Sequence, residues 1–177
     1  MLEALSPTAA FAGLRDFLQT GGNVLFVIMI ATFVLWAFII ERFWFYATSY
    51  SGVVKRAMDQ WARRTDHKSW HAHAIRERLI SEVRQETERS LPMIKVMVAV
   101  APLLGLLGTV TGMVEVFDVM AVTGSSNARA LASGVSKATI PTMAGLVASL
   151  SGVLFANILD RRSSQSVQKV ADQLTLS

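Results

Sequence analysis

The sequence predicts an all-α integral membrane protein with three transmembrane helices. Three observations predict it: a strongly apolar composition, three long runs free of Asp, Glu, Lys and Arg, and basic residues sorted by connection. Of 177 residues, 52% are hydrophobic and 17% charged, with a mean hydropathy of +0.42, a balance too apolar for an ordinary soluble domain. The charge-free runs cover residues 23–40, 97–114 and 138–159. Each approaches the ~20 residues a helix needs to cross the ~30 Å hydrocarbon layer. One such run suits a buried helix of a soluble protein, but three in a chain this short leave too little polar sequence to cover them.

The net charge of +4 is uninformative until its placement is read. The connection between the first two runs holds Arg42, Lys55, Arg56, Arg63, Arg64, Lys68, Arg76, Arg78, Arg84, Arg89 and Lys95, and the tail adds Arg161, Arg162 and Lys169. Fourteen of the 17 Lys and Arg therefore fall on one side, and only Arg15, Arg129 and Lys137 on the other. The positive-inside rule puts the first set in the cytoplasm and the N-terminus outside. Glu77, Glu82, Glu86 and Glu88 interleave with the bases, which denies the loop the unbroken basic surface that binds phosphates, so nucleic acid is not an expected partner. The absence of cysteine excludes disulfides and thiolate chemistry. The first residues lack a basic n-region, so the first span is expected to stay as an anchor.

The elements follow in order. Residues 1–20 are expected to form an outer interfacial helix, with Phe11, Leu14, Phe17 and Leu18 at helical spacing and Arg15 and Asp16 turned away, until Gly21-Gly22-Asn23 breaks the pattern. Residues 21–42 form the first span, ending in Glu41-Arg42 and then Phe43, Trp44, Phe45 and Tyr46, an aromatic and basic mixture suited to the bilayer boundary. Residues 43–91 form a cytoplasmic helical loop. Met58, Trp61, Ile75, Leu79, Ile80 and Val83 supply a packing seam there, and a turn falls at Thr65-Asp66-His67-Lys68-Ser69. Ser90-Leu91-Pro92 opens the second span, residues 92–120. An outer loop at 121–132, a third span at 133–160 and a cytoplasmic tail at 161–177 complete the chain.

The chemistry is concentrated in the second and third spans. Ala101, Gly105, Gly108 and Gly112 recur at steps of four, three and four, as do Ala138, Thr142, Gly145, Ser149, Gly152 and Ala156. In lipid, where pairing apolar helices yields no hydrophobic gain, small residues drive association by letting backbones approach. A tight hairpin follows, with surface left for neighbouring subunits or an inserted helix. Thr109 and Thr142 are the polar side chains near mid-span. A membrane Thr ordinarily bonds its own backbone carbonyl, but Pro141 removes a backbone donor beside Thr142 and frees a carbonyl that needs another partner or water, so a wetted or partner-facing surface is expected there. Glu115, Asp118 and Lys137 flank the spans on the outer side, and no ionisable residue sits at mid-span. His67, His71 and His73 lack further ligands for a metal site, and no enzyme motif or cofactor site is expected.

The run Val98-Ala99-Val100-Ala101-Pro102-Leu103-Leu104-Gly105-Leu106-Leu107-Gly108-Thr109-Val110-Thr111-Gly112-Met113 resembles the signature of the MotA/TolQ/ExbB proton-channel family. Phe117-Asp118-Val119-Met120-Ala121, Asn127-Ala128-Arg129 and Ala138-Thr139-Ile140-Pro141-Thr142-Met143-Ala144-Gly145-Leu146 are similar to the shorter ExbB proteins of TonB-type systems. The resemblance implies a homopentamer in the bacterial inner membrane around two single-span ExbD-like subunits, whose aspartate supplies the missing mid-membrane charge. It implies pore-facing roles for Thr109 and Thr142, and force delivered to a TonB-like protein for outer-membrane transport. The outer side is then the periplasm. One departure is Lys137, which stands where well-known ExbB members carry glutamate. The cytoplasmic loop is shorter than in a flagellar stator, while a TolQ-like subunit or a self-sufficient three-span channel would also fit the three spans.

Overall fold

The structure, a computed structural model, describes residues 7–64, 69–123 and 128–174, of which 7–21, 123, 128–131 and 133 are described as helical backbone alone. The described residues form five helices and no strand: α1 (Pro7–Thr48), α2 (Tyr50–Ala62), α3 (Trp70–Glu88), α4 (Leu91–Thr123) and α5 (Ala128–Gln173). Apolar helix long enough to cross a membrane occurs in three stretches, within Gly22–Thr48, Trp70–Val122 and Gly134–Gln173. The 33 residues of α4 and 46 of α5 run about 50 Å and about 70 Å at 1.5 Å per residue. Both outrun a ~30 Å hydrocarbon layer.

Helix α1 is interrupted. Gly22 adopts φ 66° and ψ −166°, a conformation that costs glycine little and strains a residue with a Cβ. The break falls where Gly21-Gly22-Asn23 predicts it. The chain before it is helical, but the packing of Phe11, Leu14, Phe17 and Leu18 lies outside the described residues.

Contacts divide the described chain into two units. The first joins residues up to Leu35 with Met97–Ser151. It buries Leu25 and Ile28 of α1, yet Phe33, Leu103, Val110, Leu146 and Leu150 stand exposed. So much exposed apolar surface suits a solvent of lipid.

The second unit joins Trp36–Val96 with residues 152–174. Its core combines Val53, Ala57 and Trp61 of α2, Ala72, Leu79 and Val83 of α3, and Val170 and Leu174 at the end of α5, with Met58, Ile75 and Ile80 packed against them. The predicted seam is therefore present, with a wall the sequence reading did not foresee. Residues 161–173, set apart above as a tail, continue α5 because Val167, Val170 and Leu174 recur on one face and are buried. Residues 65–68 of the predicted turn lie outside the described residues. Ser69 accepts the Ala72 N–H at 3.3 Å and caps α3.

Two arginines finish helices in this unit. Arg42 is buried, and its Nη1 donates to the carbonyls of Glu86 at 2.7 Å and Thr87 at 3.1 Å. Its Nε and Nη2 each lie 3.2 Å from the Glu41 carboxylate, which also accepts the Ser90 hydroxyl at 3.1 Å. Arg76 donates from Nε to Leu174 O at 2.6 Å and from Nη2 to Ala171 O at 2.7 Å. A cation that bonds the last carbonyls of a helix satisfies orphan acceptors and opposes the negative end of the dipole. In the sequence Arg42 reads as a boundary base and Arg76 as one base of the connection.

Candidate functional site

Within the first unit α4 and α5 run antiparallel and touch through backbone. A methyl built on Gly145 would lie 2.5 Å from Ala101 O, and one on Gly105 would lie 2.9 Å from Thr142 Cα and 3.0 Å from Pro141 O. On Gly112 it would meet Ala138 Cβ at 2.8 Å. Gly108 abuts the Pro141 ring and, from α1, Val24. Each glycine is thus required by a neighbour that cannot move aside. Gly105, Gly108, Gly112 and Gly145 of the predicted stripes lie on the contact surface, with Ala101 and Ala138 buried beside them; Gly152 and Ala156 are buried in the other unit.

Thr109 and Thr142 face each other across the hairpin with their hydroxyls hydrogen-bonded. Thr142 Oγ1 also donates to Gly105 O at 2.8 Å. A hydroxyl has one proton, so with Thr142's committed to that carbonyl, Thr109 is the donor within the pair and its own lone pairs stay free. Both residues are half-buried. Other threonines behave differently: Thr32 bonds Ile28 O at 2.7 Å, and Thr111 bonds Leu107 O at 3.0 Å and Gly108 O at 3.1 Å, all within their own helices. Of the two readings open for a membrane threonine, the pair takes the interhelical one.

The hairpin carries a second proline, Pro102 of α4. Pro102 lacks an N–H, which leaves the Val98 carbonyl four residues earlier without its helical donor. Ser149 of α5 supplies one, its Oγ donating to Val98 O at 2.9 Å. Ser149, read from sequence as a small packing residue, is also the donor that makes Pro102 tolerable. Pro141 frees the Lys137 carbonyl in the same way, and no side chain among the described residues donates to it.

Glu115, Asp118 and Lys137 are exposed, and none forms an ion pair among the described residues. Among the described residues no group of three His, Asp or Glu could hold a metal ion; His67 lies outside them, as does Arg129. Gly134, against Val116, also belongs to the contact surface, and Ala148 is buried. Both continue the small-residue spacing and were open to sequence reading. The Ser149 to Val98 bond was not, because it joins residues 51 apart.

Residues 47–172 match the family model of the MotA/TolQ/ExbB proton channel family. The chain belongs to this family. A putative biopolymer transport protein, ExbB-like 3, of Synechocystis sp. is 34% identical over 102 residues, covering 51% of this chain and 49% of that protein. The biopolymer transport protein ExbB of Helicobacter pylori is 28% identical over 160 residues, covering 90% of this chain and 93% of that protein. The Tol-Pal system protein TolQ of Pseudomonas aeruginosa is 31% identical over 88 residues, covering 50% of this chain and 38% of that protein. The matched segment spans about half the length of the Synechocystis relative and less of the TolQ protein. The Gly-lined hairpin and the Thr pair of this family member both lie inside the matched residues.

Proposed function

We propose that this chain is the ExbB-like ring subunit of a motor driven by proton-motive force in the bacterial inner membrane. Five copies enclose single-span ExbD-like helices, and the ring passes force to a TonB-like protein that energises outer-membrane transport. The observation that carries this reading is the Thr109–Thr142 pair, a hydroxyl contact between half-buried residues in spans with no ionisable residue at their centres. The pair offers free acceptor lone pairs in an apolar setting, and the charge that moves belongs to the partner. The distribution of Lys and Arg supports an N-terminus in the periplasm and a cytoplasmic location for the bundle around Trp61.

The relation to the H. pylori ExbB extends over nearly the whole of both chains, which favours a TonB-type role. The TolQ relation, over half of this chain, supports envelope maintenance as a second reading. Replacing Thr109 and Thr142 together by Val keeps their shape and removes both hydroxyls. Energised uptake is expected to stop while the ring still assembles, and normal uptake would refute the role. Recovery with a small single-span partner bearing a membrane aspartate is expected on purification; a fully active lone homomer would support a self-sufficient channel instead.

A further inference from the structure

We propose that the end of α1, the first residue of α2 and the last third of α5 form a binding groove for the headgroup of an anionic phospholipid, independent of the Thr109 site. The groove holds about 510 Å³ and lies within the second unit. One wall is Phe43, Tyr46 and Tyr50, and the other is Arg162, Gln165 and Lys169. Both walls show the same helical spacing, so one aromatic face meets one basic face.

Register supplies the first argument. The charge-free runs of the first and third spans end at Ile40 and Leu159, and the groove walls begin three residues beyond each, at Phe43 and Arg162. Both walls therefore start at the depth where hydrocarbon gives way to headgroups. Exposed Trp44, beside Phe43, fits that boundary. Charge supplies the second. Arg162 and Lys169 have no carboxylate partner among the described residues, and no acid lines the groove. A smaller groove of about 220 Å³ in the same unit is lined by Arg56 together with Glu82 and Glu86, so its lining is net acidic and disfavours an anion. The third argument is positioning. The Arg162 guanidinium lies over the Phe43 ring at 5.8 Å, and Tyr50 Oη donates to Ser166 O at 3.4 Å. An aromatic shelf thus steadies one base while two unpaired cations await a phosphate.

The test uses the full chain in neutral detergent, with native mass spectrometry of retained phosphatidylglycerol, phosphatidylcholine or inorganic phosphate. Phosphatidylglycerol is expected to bind at least about tenfold more tightly than phosphatidylcholine, and R162Q/K169Q to lose about that factor. R161Q, outside the groove, and R162K, which keeps the charge, are expected to retain the lipid. Equal retention of both lipids by the unaltered chain would overturn the proposal, and needs no variant to fold. So would full displacement by inorganic phosphate, which marks a free-anion site. If R162Q/K169Q dissociates the oligomer yet retains the lipid, the groove seats a neighbouring copy and the proposal fails.

Discussion

The α4–α5 hairpin around Thr109 and the bundle around Trp61 are both helix packings, and they use opposite side chains. In the hairpin, glycines and alanines bring backbones into contact while Leu103, Leu106, Met143 and Leu150 point away. In the bundle, Trp61, Leu79 and Leu174 point inward and most charged residues face out, Arg42 excepted. Apolar side chains are driven from water but gain little by leaving lipid for another helix. Lipid-embedded helices therefore bind through close approach and hydroxyl-to-carbonyl bonds, and water-covered ones through buried bulk. The same contrast governs helix ends. Arg42 and Arg76 close helices in the bundle with charge, whereas Ser149 repairs the proline gap in the hairpin with a neutral hydroxyl.

If this contrast holds, the two regions respond in opposite directions to a change of volume. Trp61→Ala empties the centre of the bundle and is expected to cost about 3–5 kcal/mol, read as a lower unfolding temperature and faster proteolysis near the predicted turn. Leu150→Ala, a smaller truncation on the outer face of the hairpin, is expected to leave the fold within about 0.5 kcal/mol of the parent, well under the ~2–5 kcal/mol of a buried Leu→Ala. A cost like that of the Trp61 variant would mean that Leu150 is packed against a partner. Enlarging a residue reverses the order. Gly145→Leu forces a side chain against the Ala101 carbonyl, with an expected cost of about 3 kcal/mol and, if the proposed ring forms, its loss on size-exclusion chromatography.

The polar devices give smaller effects. Arg42→Ala leaves the Glu86 and Thr87 carbonyls without their donor and is expected to cost about 2 kcal/mol. Arg78→Ala, which breaks an exposed pair with Glu82, is expected to cost under about 0.5 kcal/mol. Equal losses in thermal unfolding would show that Arg42 is no more than a surface base. Ser149→Ala is expected to cost about 0.6 kcal/mol. That cost should largely vanish in a Pro102→Ala background, where residue 102 again supplies an N–H to Val98. A double-mutant cycle with no coupling would sever the link between Ser149 and Pro102.

Three spans and the seam around Trp61 follow from local pattern, because run length and periodicity are properties of consecutive residues. The small-residue stripes were readable for the same reason, and so was the break at Gly22, where glycine alone takes the required angles without strain. The joining of these pieces lay beyond local pattern. Arg42 reads as a boundary base until the carbonyls of Glu86 and Thr87 reach it, and the end of α5 reads as a tail until Val170 and Leu174 meet α2 and α3.

By itself the sequence determined where apolar helix must form, which faces carry small side chains, and that no ionisable group occupies mid-span. Tertiary structure alone decided which hydroxyl meets which carbonyl. Thr109 and Thr142 turn from self-satisfied side chains into a pair because a Gly105 without a Cβ lets α5 approach closely enough for Thr142 to take its carbonyl. Partner choice of this kind depends on distances between residues far apart in the chain, which no local pattern encodes.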